Sequence, residues 1–98
     1  MLNQSILVGR ITGIKKEEEQ NRTILSLAVQ RPYKDENGIY EIDLIPCILS
    51  NTISNTIEEY CKIGNIVGVK GSLCISENNL NLLVNKLTTL STKKEKGD

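Results

Sequence analysis

The chain has 98 residues, 39% apolar and 24% charged, with twelve basic and twelve acidic side chains and no histidine. That length and balance fit one globular domain and exclude a disordered body. No apolar run approaches a membrane span and Met1-Leu-Asn-Gln opens no basic signal segment, so a soluble cytoplasmic chain is expected.

The first predicted strand runs from about Gln4 to Ile14, with Ile6, Val8 and Ile11 assigned to one face. Gly9 and Gly13 interrupt it, as expected where a strand coils sharply at a barrel corner or bulge. Lys15 to Arg22 carries no apolar residue and reads as a solvated loop. Thr23 to Gln30, rich in Ile, Leu and Val, is the second predicted strand, ended by Pro32, which cannot donate to a ladder. Asp35-Glu-Asn-Gly38 is a turn signal in which Gly38 supplies positive φ. A third strand follows from Ile39 to Ile48, with Glu41 and Asp43 opposite its apolar positions and an edge or bulge at Pro46.

From Asn51 the period changes. Ile53, Ile57 and Tyr60/Cys61 recur at helical spacing, with Ser50 or Asn51 as N-cap and Gly64 as the stop. Tyr60 falls on the same helix face and is expected in the core. Asn65 to Ile75 and Leu80 to Leu87 complete a set of five strands, joined by a tight turn at Glu77-Asn-Asn79. The organisation expected is one domain over 1–90 and a polar tail over 91–98. Its class is all-β, with one short helix between strands 3 and 4. That is the order of the OB-fold, a five-stranded Greek-key barrel.

Catalysis is not expected. Histidine, the commonest general base, is missing, and neither a G-x-S-x-G nor a phosphate-loop pattern occurs. Cys47, Cys61 and Cys74 form neither a C-x-x-C pair nor a zinc site, so no metal or cofactor is expected and the thiols read as small reduced core hydrophobes.

Charge is neutral only in sum. Residues 1–34 carry +3, residues 35–61 carry −6 with no basic residue, and residues 62–98 carry +3. A groove that tracks phosphates needs Lys and Arg, so its cations must come from the two ends of the sequence.

Asn3-Gln-Ser-Ile-Leu-Val-Gly-Arg-Ile11 and the segment 24–73 resemble the bacterial single-stranded DNA-binding protein family over about three quarters of the chain. The resemblance implies a closed barrel that grips one strand through stacked aromatic residues and works as a dimer or tetramer, with first strands paired across a two-fold. Of four stacking positions it implies, the first falls on Tyr33, the second on Leu44 and the third on Ser50. The fourth lies in a long hairpin that the turn at Glu77–Asn79 replaces. Arg31 and Lys34 flank Tyr33, and Tyr40, Arg10, Lys70 and Lys86 complete the candidate nucleic-acid-binding set. For Tyr33 and Tyr40 the competing reading is packing within the hairpin; for Arg10, Lys70 and Lys86 it is a solvated strand face.

The family usually continues into a flexible linker and an acidic, apolar-tipped peptide that recruits replication and repair enzymes. This sequence ends at Lys96-Gly-Asp98, so recruitment by that route is not expected. Two functions follow. The first is sequence-independent coating of single-stranded DNA in replication, recombination or repair, with replication or mobile-element proteins as further partners. The second is a barrel turned into a protein-assembly module, as in the primosomal replication protein N.

Overall fold

A computed structural model describes residues 1–90, apart from the side chains of Asn51, Thr56, Glu58 and Tyr60. The expected tail over 91–98 and the core role assigned to Tyr60 lie outside the described residues. The elements are β1 (Ser5–Glu17), β2 (Arg22–Lys34), β3 (Tyr40–Leu49), α1 (Asn51–Tyr60), β4 (Ile66–Ser76) and β5 (Asn79–Thr89). The strands close in the order β1-β2-β3-β5-β4. Every contact is antiparallel except the short parallel one, Cys47 to Leu82 and Ile48 to Leu83, that joins β3 to β5. This is the five-stranded OB barrel with its helix between the third and fourth strands.

Alternation fills the barrel. Ile11 on β1, Leu25 and Leu27 on β2, Cys47 and Leu49 on β3, Val67 and Val69 on β4, and Leu82 and Val84 on β5 all point inward and are buried. Ile57 and Cys61, at the end of α1, close the barrel from below. The buried hydroxyls of Thr23 and Ser54 tie the helix to β2, with Thr23 Oγ1 donating to Ser54 Oγ at 3.0 Å. Burial lifts the Cys47 thiol to about 11 and raises that of Cys61, so both sit in the core as protonated hydrophobes. Cys74 departs from that expectation: it is only half-buried, on the β4–β5 arm beyond the core.

Four local expectations are corrected. Ile11 is buried while Ile6 and Val8 lie on the outer face, because the register shift comes after Ile11, where Thr12 is the extra residue, and not at Gly9. Gly9 instead permits a close crossing: a Cβ there would lie 2.4 Å from the Ala28 carbonyl oxygen. The expected loop over 15–22 shrinks to a turn, since β1 runs on to Glu17, where Glu17 Oε1 accepts from Arg22 Nε at 2.7 Å across the hairpin. β2 runs past Pro32 to Lys34, because the pairing with β3 is irregular between Gln30 and Lys34 and leaves the proline outside the ladder. The helix stops at Tyr60 with Cys61 as its C-cap, and Gly64, at φ +100°, belongs to the turn beyond it.

The turns are fixed locally. Asp35 Oδ1 accepts from the amides of Asn37 and Ile39, at 2.8 and 2.9 Å, so the β2–β3 hairpin ends in a small self-bonded loop with Gly38 at φ +77°. Glu77 and Asn78 both take positive φ, as a two-residue hairpin of the primed type requires. Near that end of β4, the Asn3 carboxamide donates to the Leu73 carbonyl at 2.9 Å and accepts from the Leu73 amide at 3.0 Å.

Candidate nucleic-acid interface

Outward positions alternate with the core positions. On β2 they are Ile24, Ser26, Ala28 and Gln30; on β3 they are Ile42, Leu44, Pro46 and Ile48, opposite them in reverse order. Leu44 is 64% exposed and Ile42 is 58% exposed, so the outer face of this pair is aliphatic and open. Below Leu44 lies a groove of about 470 Å³, walled by Arg22 and Ile24 on one side and by Glu77 and Leu80 of the β4–β5 hairpin on the other. Above it lies a hollow of about 320 Å³ lined by Val8, Arg10, Ala28, Gln30 and Ile42. The two meet along β3.

Tyr33 stands at the end of the β2–β3 arm and is 63% exposed, which fits an outward ring better than a packed one. Lys34 lies with its Nζ 5.7 Å from the centroid of the Tyr40 ring, so Lys34 already covers one face of that ring. Leu44 and Ser50, where aromatic rings are lacking, are both exposed. Ser50 is the N-cap of α1 by position, yet its side chain makes no capping bond.

The cations divide into three groups. Arg10 reaches the upper hollow and donates from Nη1 to the Gly64 carbonyl at 2.7 Å, a neutral partner that leaves its charge intact. Arg31 does not face outward alone: its Nε and Nη2 donate to the two Asp43 oxygens at 3.0 Å each, and Glu41 lies 3.4 Å from its Nη1. This fork holds the Asp43 carboxyl below the usual carboxylate range and raises the already high value of the guanidinium. Lys70 and Lys86 oppose each other across β4 and β5 and line another depression, with Ile6, Val8 and Leu90. The structure therefore sets Arg10 at the upper hollow and Tyr33, Lys34 and Tyr40 on the β2–β3 arm, compensates Arg31, and places Lys70 and Lys86 at a neighbouring depression that shares Val8 with the upper hollow.

Sequence reasoning missed Gln30 and Ile42 as surface members. Strand alternation carries that signal once β2 is known to continue. It also missed Asp43 and Glu41 as the partners of Arg31, although the acidic run over 35–61 pointed to them.

The closed barrel, with its helix between the third and fourth strands, places the chain in the OB-fold class. A sequence profile of the Single-strand binding protein family matches residues 2–91, and the chain belongs to that family. It is 32% identical over 76 residues to a single-stranded DNA-binding protein of Staphylococcus epidermidis, covering 74% of this chain and 58% of that protein. To single-stranded DNA-binding protein B of Bacillus subtilis it is 34% identical over 80 residues, covering 74% and 68%. The chain thus spans little more than half the length of several relatives, 51% for one from Lactococcus lactis. In fold it resembles the Plasmodium falciparum SSB in complex with ssDNA, at TM-score 0.71 and 22% identity over 93% of this chain and 97% of that one. The yeast mitochondrial single-stranded DNA-binding protein Rim1 matches at TM-score 0.77 and 19% identity over 96% and 100%.

Proposed function

We propose that this chain coats single-stranded DNA without regard to sequence, as a cytoplasmic protein of replication, recombination or repair. The observation that carries the reading is the exposed β2–β3 face with Tyr33 at its tip, on the barrel of a single-strand binding family member. Binding of this kind needs ring faces for bases and cations for phosphates. Here one exposed tyrosine supplies the clearest ring, and Arg10 and Lys34 supply charge that, among the described residues, no carboxylate pairs with. Affinity per subunit is therefore low. Tyr33→Ala should weaken oligo-dT binding by about 1–3 kcal/mol, measured by fluorescence anisotropy. Its melting temperature should stay near that of the parent, because the ring is outside the core. Parent-like binding by that variant would remove Tyr33 from the site.

The same reading includes a dimer or tetramer. Ser5 to Gly9 pair with β4 on one side only, since pairing with β2 begins at Arg10. This bare edge carries the exposed Ile6 and Val8, which adjoin a depression of about 290 Å³ lined also by Leu90. A second copy adding its own β1 would satisfy those amides and cover the aliphatic residues. Sedimentation at tens of micromolar should show at least a dimer; a monomer alone would overturn this part of the reading.

A further inference from the structure

We propose that Asp43 and Glu41 form a built-in competitor for phosphate at Arg31, so that this arginine joins the DNA contact only by exchanging its carboxylate partners for the nucleic-acid backbone. The inference rests on the DNA-coating reading and specifies which charges that surface presents. Two observations and one principle carry it. Arg31 sits two residues from Tyr33, on the arm that ends the open face, where a strand stacked on the ring would bring its phosphates. The Nε/Nη2 edge of its planar fork is matched by Asp43, at 3.0 Å for both bonds, with Glu41 as a second acid 3.4 Å from Nη1. A bidentate carboxylate occupies the same donors that a phosphate would use.

The cluster is also easy to open. The side chains of Arg31, Asp43 and Glu41 are 39%, 46% and 51% exposed, so water screens the pair, and exchange with an arriving phosphate requires no buried charge to be stranded. Before exchange, the three side chains together carry −1 beside Tyr33 and repel the backbone of the strand. Arg22 is answered by Glu17 in the same way at the lower groove. The surface consequently presents Arg10 and Lys34 as its uncompensated charges, and the slope of log K against log salt should be about −1.4 per subunit, at about −0.7 for each phosphate neutralised.

The test is a cycle of variants titrated with oligo-dT across a salt series. Glu41→Gln with Asp43→Asn should tighten binding by roughly three- to tenfold and steepen the slope by about 0.7, as one more cation engages. Adding Arg31→Gln to that background should remove the added slope and bring the gain down to that of a single deleted negative charge, whereas Arg31→Gln in the parent, which leaves both carboxylates uncompensated, should weaken binding. Glu36→Gln, in the nearby turn, measures the effect of deleting a negative charge alone. A gain no larger than that of Glu36→Gln, or one that persists in full without Arg31, overturns the proposal while leaving DNA binding intact. Failure of the parent and every variant to bind oligo-dT overturns the DNA-coating reading itself. Should the double variant melt early, Asp43→Asn alone carries the same comparison, since Asp43 holds both close bonds.

Discussion

Gly71→Ala should be among the most damaging single substitutions in the chain, lowering stability by about 3–4 kcal/mol and the melting temperature by about 12 °C or more. Gly71 lies where the β4–β5 register slips, and a Cβ built there would stand 1.9 Å from the Leu83 carbonyl oxygen and 3.0 Å from the Val84 Cα. Those are backbone atoms of the neighbouring strand, so no rotamer change relieves the overlap, and β4 and β5 must separate at the register shift. Gly68→Ala is the matched control. Its Cβ would meet nothing nearer than the end of the Leu90 side chain, at 3.5 Å, and the change should stay within about 1 kcal/mol. Thermal melts of the two variants beside the parent decide the matter, and equal melting temperatures would refute the steric argument.

The largest gain in function is expected from restoring rings at Leu44 and Ser50. Each base stacked on an aromatic side chain contributes about 1–3 kcal/mol. Leu44→Trp together with Ser50→Phe should thus tighten oligo-dT binding by at least about tenfold. The structure removes the chief objection to this pair. Leu44 points away from the core, so tryptophan there overpacks nothing, and Ser50 makes no side-chain capping bond that phenylalanine would forfeit. Binding unchanged by both rings, with melting also unchanged, would mean that the strand does not pass over β3.

Much of this architecture was legible because it rests on local chemistry. Alternation marked the five strands, a change of period at Asn51 marked the helix, and Asp35–Gly38 and Glu77–Asn79 announced their turns. What escaped depended on partners distant in sequence. Pro32 seemed to end β2, but an irregular stretch facing β3 carries the chain past it. Ile11 was placed with Ile6 and Val8, and Gly9 and Gly13 were both taken as interruptions, whereas the one extra residue is Thr12, beside Gly13. The candidate site was legible as a set of residue types and not as a charge distribution. Tyr33 and Lys34 stand on the arm as expected, while the neutralisation of Arg31 depends on which β2 residue faces Asp43, and no local pattern specifies that. Lys70 and Lys86 were grouped with them as strand cations, and they lie one strand over from Arg10, on β4 and β5.

Asn3 has a consequence beyond tethering the first residues. Ser5 opposes Gly71 in the β1–β4 ladder, so Asn3 falls where Leu73 would be its partner, and there a side-chain amide stands in for the missing peptide unit. The exposed Leu73 and Ile75 would otherwise offer sticky, unsatisfied rungs to any passing extended segment. With the first rung plugged, sheet growth along β4 halts, while the neighbouring stretch of β1 remains available to a second copy. A dimer joined through β1, as proposed above, would thereby be closed and self-limiting rather than an open-ended fibre.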